Sequence, residues 1–234
     1  MAQTIDFLIG PFFAFSSLLM MLGLLRLFII TILDMRAAFR NAGDKNIKFS
    51  KIIMETLIWM IPGKNMLNTS VFFSVISFIF HIGLIIVPVF LFEHVIIWKH
   101  IYKFGWPAIG KSAADILTLI TIACGLILLG YRLFSQKRRN LSGAWDYFFL
   151  ILILVIFISG YLIPGEIRFL GFDSRMLIHA LCGNLAMIIF PFTRLAHCIL
   201  YPLLRLASAI AWHFPPNAGR DLNRLLYGEE IKKI

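Results

Sequence analysis

The sequence predicts an all-α integral membrane protein, a five-helix transmembrane bundle that forms one domain over residues 1–234. The first observation is composition, because 60% of the 234 residues are apolar and only 15% are charged. A soluble domain has to cover its surface with polar groups, whereas a surface that faces lipid needs none. The second observation is that the apolar residues form five runs long enough to cross a bilayer, at about 5–33, 71–98, 113–134, 144–163 and 176–203.

The first run is predicted to be a spanning helix and not a cleaved signal peptide. Residues 1–10 carry no Lys or Arg, and the apolar run continues well beyond the length of a signal peptide. A polar loop with a Pro62-Gly63 turn signal separates this run from the second one. After the fifth run, residues 204–234 are predicted to form a cytoplasmic tail.

Orientation follows from the basic residues, which stay preferentially on the cytoplasmic side in short loops. The loops after the first and third runs and the tail hold most of them: Arg36, Arg40, Lys45, Lys48, Lys51, Lys64, Arg132, Lys137, Arg138, Arg139, Arg205, Arg220, Arg224, Lys232 and Lys233. The opposite loops hold few, namely Lys99, Lys103, Lys111, Arg168 and Arg175. We therefore expect the N-terminus outside and the C-terminus in the cytoplasm.

The net charge of +10 does not indicate a nucleic-acid-binding protein. The basic residues are divided among short loops beside the bilayer and form no continuous stripe, so membrane lipid and a docked partner explain them better. The three cysteines, Cys124, Cys182 and Cys198, lie in apolar runs without a Cys-x-x-Cys pair. This pattern favours packing residues over an iron–sulfur centre or a c-type haem.

Four of the six histidines fall within predicted spans, two on the second helix and two on the fifth: His81, His94, His179 and His197. Ionisable side chains in the hydrocarbon layer are costly and usually mark function. A single histidine would be explained by a hydrogen bond to a neighbour. Two helices with two histidines each are typical of axial haem ligands on facing helices of a bundle.

The spacing on the fifth helix supports two haems in opposite leaflets. His179 and His197 are 18 positions apart (197 − 179), which returns the second to the face of the first about 27 Å along the axis. On the antiparallel second helix, His81 should match His197 in depth and His94 should match His179. The 13-position interval (94 − 81) rotates His94 by about 140° on an ideal helix, although Pro88 makes that angle unreliable.

His100 is the alternative to His94, because its rise from His81 matches the 18-position interval better, although it follows Trp98-Lys99 and looks interfacial.

These residues resemble the membrane cytochrome b (gamma) subunit family of respiratory nitrate reductase. The resemblance rests on Phe80-His81-Ile82-Gly83, on His179 followed by Phe190 to His197 in the order FPFTRLAH, and more weakly on Arg132 to Ser135. Residues 87–94, Trp106-Pro107 and Phe214-Pro215-Pro216 are similar to a divergent branch of the family in anaerobic respiratory complexes, such as those of sulfate reducers.

The resemblance implies two b haems with bis-histidine ligation, His81 pairing with His197 near the cytoplasm and His179 holding the outer haem. The family pattern expects a further histidine ten residues after His81, where this chain has Leu91. His94 would then supply that ligand.

The resemblance also implies menaquinone or ubiquinone as substrate at the outer haem. Lys111 is similar to a lysine of quinol binding, and Glu93 is a candidate proton acceptor; interfacial lysine and glutamate are the alternatives. Arg194 and Arg26 are candidates for haem propionates, with a membrane anchor as the alternative for each.

We therefore expect a dihaem cytochrome b subunit in a bacterial or archaeal cytoplasmic membrane. Its partners would be a cytoplasmic iron–sulfur or catalytic subunit and, as a further possibility, a periplasmic multihaem cytochrome c. No soluble catalytic site is visible in the sequence. A haem-free membrane anchor or assembly subunit and a proton-coupled transporter are the alternatives, and a transporter usually shows internal repeats, which are not found here.

Overall fold

The computed structural model describes residues 1–42, 48–60, 71–165, 171–211 and 218–227, and the secondary structure in these ranges is helical, with no strand in them. The helices are α1 (Ala2–Ile9), α2 (Pro11–Asn41), α3 (Phe49–Met60), α4 (Val71–Phe90), α5 (Phe92–Tyr102), α6 (Lys111–Phe134), α7 (Gln136–Leu141), α8 (Ala144–Leu162), α9 (Phe172–Ile189), α10 (His197–Ala211) and α11 (Ala218–Tyr227). Two short 3₁₀ turns, Phe190–Phe192 and Arg194–Ala196, separate α9 from α10.

For the described residues, the prediction of an all-helical chain with five helices long and apolar enough to span a membrane is confirmed. In the described ranges, five helical segments are long and apolar enough to cross a bilayer: Ala2–Asn41, Val71–Phe90, Lys111–Phe134, Ala144–Leu162 and Phe172–Phe192. Many of their large apolar side chains are exposed, among them Leu22, Ile85 and Ile151. An apolar exposed surface of this kind suits lipid and not water.

The first predicted span, 5–33, is longer in the structure and consists of two helices. α1 ends at Ile9, and α2 begins at Pro11 and continues to Asn41. Proline suits the first position of a helix, where its missing N–H has no helical partner in any case. The third and fourth predicted spans, 113–134 and 144–163, lie within one or two residues of α6 and α8.

The second predicted span, 71–98, is also two helices, because α4 ends at Phe90 and α5 starts at Phe92. Leu91 between them has extended backbone angles, φ −64° and ψ 132°. Pro88 lies inside α4, so the interruption follows the proline by three residues. The break separates His81 and His94 onto different helices, and the ideal-helix angle between them no longer applies.

The fifth predicted span, 176–203, is interrupted in the same way. α9 ends at Ile189, the two 3₁₀ turns follow, and α10 begins at His197. Pro191 lacks an N–H and disfavours continuation of an α-helix. Thr193 has extended backbone, and its hydroxyl accepts a hydrogen bond from the Leu195 N–H at 3.4 Å, which caps the second 3₁₀ turn.

The chain divides into two compact units, of which unit one comprises residues 1–21 and 62–190. In unit one α4 packs on α6, α6 on α8, α8 on α9, and α1 on α9. Small residues allow the close helix approaches that are common in membranes: a Cβ on Gly83 would lie 1.7 Å from the Thr121 hydroxyl. The core between these helices consists of Phe80, Cys124, Leu128, Leu150 and Leu154.

A buried polar cluster ties the start of the chain to α9 within unit one. Asn184 is 2% exposed, and its Nδ2 donates to the carbonyls of Leu8 (3.0 Å) and Ala180 (2.8 Å). Its Oδ1 lies 2.7 Å from the Ser16 hydroxyl. The hydrogen-bonding groups of this amide are thus satisfied inside an apolar region, which is required for a buried polar side chain to be tolerated.

Unit two comprises residues 22–61 and 191–234. Within it α10 packs on α3, and the rings of Phe39 and Phe49 lie 6.4 Å apart. Gly23 of α2 lies against Pro191, where a Cβ would come within 2.5 Å of the proline ring. The small residue is therefore needed for this contact.

Candidate functional site

The structure brings together, in unit one, two of the four histidines that were predicted to lie in spans, although His94 and His197 fall just outside the spans Val71–Phe90 and Phe172–Phe192. The imidazole rings of His94 on α5 and His179 on α9 have centroids 6.0 Å apart, and their planes are inclined by 15°. The two rings are therefore neighbours in nearly parallel orientation. His100, the alternative to His94, is exposed in the last turn of α5.

The break at Leu91 accounts for the position of His94. In a continuous helix the last carbonyls of α4 would accept from the N–H groups of residues 92, 93 and 94. Instead, the Pro88 carbonyl accepts from His94 Nδ1 at 2.9 Å, the Val89 carbonyl from Trp106 Nε1 at 2.8 Å, and the Phe90 carbonyl from the Ile109 N–H at 2.9 Å. The end of α4 is thus fully capped, and His94 is one of its caps.

His179 is held against α8 by contacts on one side of its ring. Its Nδ1 lies 2.9 Å from the Ile156 carbonyl and 3.5 Å from the Ser159 hydroxyl. Gly160 leaves the space that the ring occupies, because a Cβ there would be 2.8 Å from the imidazole Cε1. The position of His179 therefore depends on a glycine one helical turn from its hydrogen-bond acceptor.

All four histidines of the predicted ligand set share one hydrogen-bonding pattern. The Nδ1 of His81 lies 2.6 Å from the Ser77 carbonyl, and the Nδ1 of His197 is hydrogen-bonded to the Arg194 carbonyl, in addition to the two contacts of His94 and His179 above. A carbonyl oxygen only accepts, so each Nδ1 carries the proton and each Nε2 carries the lone pair. Metal-ligating histidines usually donate their second ring N–H in this way.

The separation of the His94 and His179 rings is close to the distance expected for two axial ligands of one haem iron. Two metal–imidazole bonds of about 2 Å each, together with the two ring radii, separate ring centroids by about 6 Å, which agrees with the observed 6.0 Å. Both Nδ1 atoms are directed to carbonyls, which leaves Nε2 as the ligating atom of each ring. The described residues contain no group of three or more His, Cys, Asp and Glu side chains able to hold a bare metal ion, but bis-histidine haem needs only two.

The predicted pairing of His81 with His197 at the inner haem is not tested by the structure. His81 lies partly buried in α4 of unit one, and His197 is exposed at the start of α10 in unit two. The pairing of these two residues stays a prediction.

The residues predicted for quinone, Lys111 and Glu93, lie at the same end of unit one as His94. Lys111 is the first residue of α6, and Glu93 lies in the first turn of α5; both are exposed. The hydrogen bond between the Ile109 N–H and the Phe90 carbonyl keeps the start of α6 beside the end of α4.

The residues predicted for haem propionates, Arg194 and Arg26, are both exposed and both belong to unit two. Arg194 opens the 3₁₀ turn that precedes His197, and its carbonyl accepts from that histidine. Arg26 lies in α2. Their role stays a prediction.

Sequence reasoning missed Arg175, which it counted only as a loop charge. Arg175 is 4% exposed, and it is the only charged side chain among those buried in the described ranges. Its Nε donates to the Gly171 carbonyl at 3.4 Å, and its Nη1 donates to the carbonyls of Leu162 and Gly165. The signal in the sequence was its position one helical turn before His179.

Comparison with known proteins shows that the chain is similar to a bacterial protein. The chain is 32% identical over 155 residues to a protein of Nitratidesulfovibrio vulgaris (strain Hildenborough) whose name, "Protein", states no activity; the match covers 65% of this chain and 67% of the relative. No family model matches the chain, and no solved structure matches it.

Proposed function

Because the chain belongs to the same family as the Nitratidesulfovibrio vulgaris protein, for which no activity is stated, we propose its function from the histidine pair. The protein is a dihaem cytochrome b subunit of an anaerobic respiratory complex and transfers electrons between the quinone pool and a partner subunit. The observation that carries the proposal is the 6.0 Å separation of the His94 and His179 rings, each with its Nδ1 on a backbone carbonyl.

His94 and His179 would hold the outer haem, and His81 and His197 the inner one. A bound b haem supplies reversible one-electron chemistry at its iron. The chain supplies the ligands in a fixed tautomer, since each Nδ1 proton is committed to a carbonyl. It also supplies a helical interior in which ring positions are set by packing, as at Gly160.

In this proposal the N-terminus is outside and the C-terminus is cytoplasmic, in a bacterial or archaeal cytoplasmic membrane. The support is the excess of basic residues in the loops after the first and third spans and in the tail. With this orientation, the His94–His179 pair lies in the outer half of the membrane.

A quinone site beside the outer haem completes the proposal, with menaquinone or ubiquinone as substrate. Oxidation of a quinol releases two electrons and two protons. Glu93 is exposed and adjacent to His94 in the chain, so it is suited to accept a proton, and the Lys111 ammonium is suited to donate a hydrogen bond to a quinone oxygen. These two residues lie at the end of unit one that carries His94.

The partner in this proposal is a cytoplasmic iron–sulfur or catalytic subunit, and a periplasmic multihaem cytochrome c is a second candidate. The support is the resemblance of residues 80–83 and 190–197 to the gamma subunit of respiratory nitrate reductase. The amphipathic tail helix α11, with Leu222 and Leu225 exposed beside Arg224, is a suitable contact for a subunit at the membrane surface.

The test is haem content by the pyridine haemochrome assay on purified protein. We expect two protohaems per chain in the wild type and one in His179→Ala. His94→Gln should also lose one, although its amide still offers an N–H donor to the Pro88 carbonyl. His100→Gln, on the same helix, is the matched control and should keep both.

Absence of protohaem from the wild-type protein would refute the proposal and leave the haem-free alternatives, a membrane anchor or assembly subunit and a proton-coupled transporter. Retention of both haems in the His179 variant would refute the assignment of the outer ligands.

A further inference from the structure

The guanidinium of Arg175 is a buried cation, and its hydrogen-bond partners among the described residues are uncharged. The side chain is 4% exposed, and the groups that it contacts are the backbone carbonyls of Gly171, Leu162 and Gly165. Removing a charge from water is costly unless an opposite charge is supplied. In the part of the chain that the structure describes, the end of α8 offers it the partial negative charge of a helix C-terminus.

The hydrogen-bonding capacity of this guanidinium is not exhausted by these contacts. A guanidinium has five N–H donors, and the bonds to the three carbonyls involve Nε and Nη1. The two N–H groups of Nη2 take part in none of them. Arginine is suited to planar anions such as carboxylates, to which it donates charge-assisted hydrogen bonds.

Arg175 lies close in the fold to the His94–His179 pair. Arg175 and His179 are four residues apart on α9, which places them on one face and about 6 Å apart along the axis. Both contact the C-terminal half of α8, His179 at Ile156 and Arg175 at Leu162. Arg175 is therefore the buried cation of the described ranges that lies one turn from the proposed iron ligand.

We propose that Arg175 binds a propionate carboxylate of the haem held by His94 and His179 and that its charge raises the reduction potential of that haem. The inference rests on the proposed function. It differs from the sequence-based assignment of propionates to Arg194 and Arg26, which belong to unit two. Arg175 would raise the reduction potential because the ferric state carries one more positive charge than the ferrous state, and a fixed positive charge nearby therefore disfavours the ferric state.

The experiment is an optical redox titration of the purified full-length protein with the variants Arg175→Gln and Arg175→Lys. The outer haem is identified as the component that is lost in His179→Ala. A unit charge about 10 Å away at an effective dielectric constant of about 20 changes a one-electron equilibrium by about tenfold. We expect Arg175→Gln to shift the outer haem toward the ferric state by about this factor, a potential lower by about 59 mV.

Arg175→Lys should restore most of the potential, because it keeps the charge. Lys99→Gln is the matched control, an exposed charge on α5 five residues after His94, and it should leave the potential unchanged. The inner haem should be unaffected in every variant.

A role in capping α8 alone gives a different result. In that case Arg175→Gln would lower thermal stability and leave the reduction potential of the outer haem unchanged, which would overturn the inference. If Arg175 binds a lipid phosphate instead, the potential would also be unchanged, and the inference would be overturned in the same way. Loss of the outer haem in both Arg175 variants alike would overturn it too, whereas loss in the Gln variant with retention in the Lys variant would support it. The haem content of the wild type tests the proposed function separately.

Discussion

Gly160→Ala is expected to remove the outer haem while leaving the fold intact. The added Cβ would lie 2.8 Å from the Cε1 and 3.0 Å from the Nδ1 of the His179 ring. Favourable contact between carbon atoms requires about 3.5–4.0 Å, so the ring has to retreat from α8 by about 0.7 Å or more.

The retreat also breaks the hydrogen bond that orients His179. The Ile156 carbonyl belongs to the same helix as Gly160 and lies 2.9 Å from Nδ1. Movement of the ring by about 0.7 Å brings this distance to about 3.6 Å, where a hydrogen bond is no longer made. The overpacking itself should cost about 1–3 kcal/mol.

The assay is haem stoichiometry together with the low-temperature reduced-minus-oxidised spectrum of purified protein. Gly183→Ala is the matched control, since Gly183 lies on α9 four residues after His179 and a Cβ there meets nothing within 4 Å. The control should keep both haems. A Gly160→Ala protein with the wild-type spectrum and full haem content would refute the reasoning.

Two further predictions concern packing away from the histidine pair. Asn184→Ala should lower the free energy of unfolding by about 2–4 kcal/mol, because it removes three hydrogen bonds and leaves the Ser16 hydroxyl and two carbonyls without this partner. A thermal melt in detergent measures the loss, and an unchanged melting temperature would contradict the prediction. Gly83→Ala should disrupt the contact between α4 and α6, because the Cβ would lie 1.7 Å from the Thr121 hydroxyl; Thr121→Ala in the same chain should recover part of the lost stability, and no recovery would place the strain elsewhere.

The spanning helices could be predicted from the sequence because the hydrophobicity of consecutive residues sums to a preference for the membrane. About 20 apolar residues are enough to cross a membrane whatever the neighbouring helices are, and α6 and α8 accordingly begin and end close to their predicted limits. The interruptions at Leu91 and at 190–196 have no such signal. The break at Leu91 depends on donors distant in sequence, such as Trp106 for the Val89 carbonyl. The turns at 190–196 contain Pro191 and a local cap from Thr193.

In the candidate site too, some features could be predicted from the sequence and others depend on tertiary contacts. The four histidines could be selected from the sequence because ionisable groups are rare in spans. The neighbourhood of His94 and His179 could not be calculated from a helical wheel, because the wheel assumes one continuous helix between His81 and His94. The burial of Arg175 could not be predicted from the sequence either, since it depends on the approach of its side chain to the carbonyls of Leu162 and Gly165 at the end of α8.

The Pro88 carbonyl determines which ring nitrogen of His94 carries the proton. The imidazole that ends α4 is protonated at Nδ1 because the interrupted helix presents an acceptor there. A local change that let the two helices join would take that acceptor away, and the ring would lose both its anchor and its preference for one tautomer. If His94 ligates iron as proposed, the tautomer of this ligand is set by an interruption in the secondary structure.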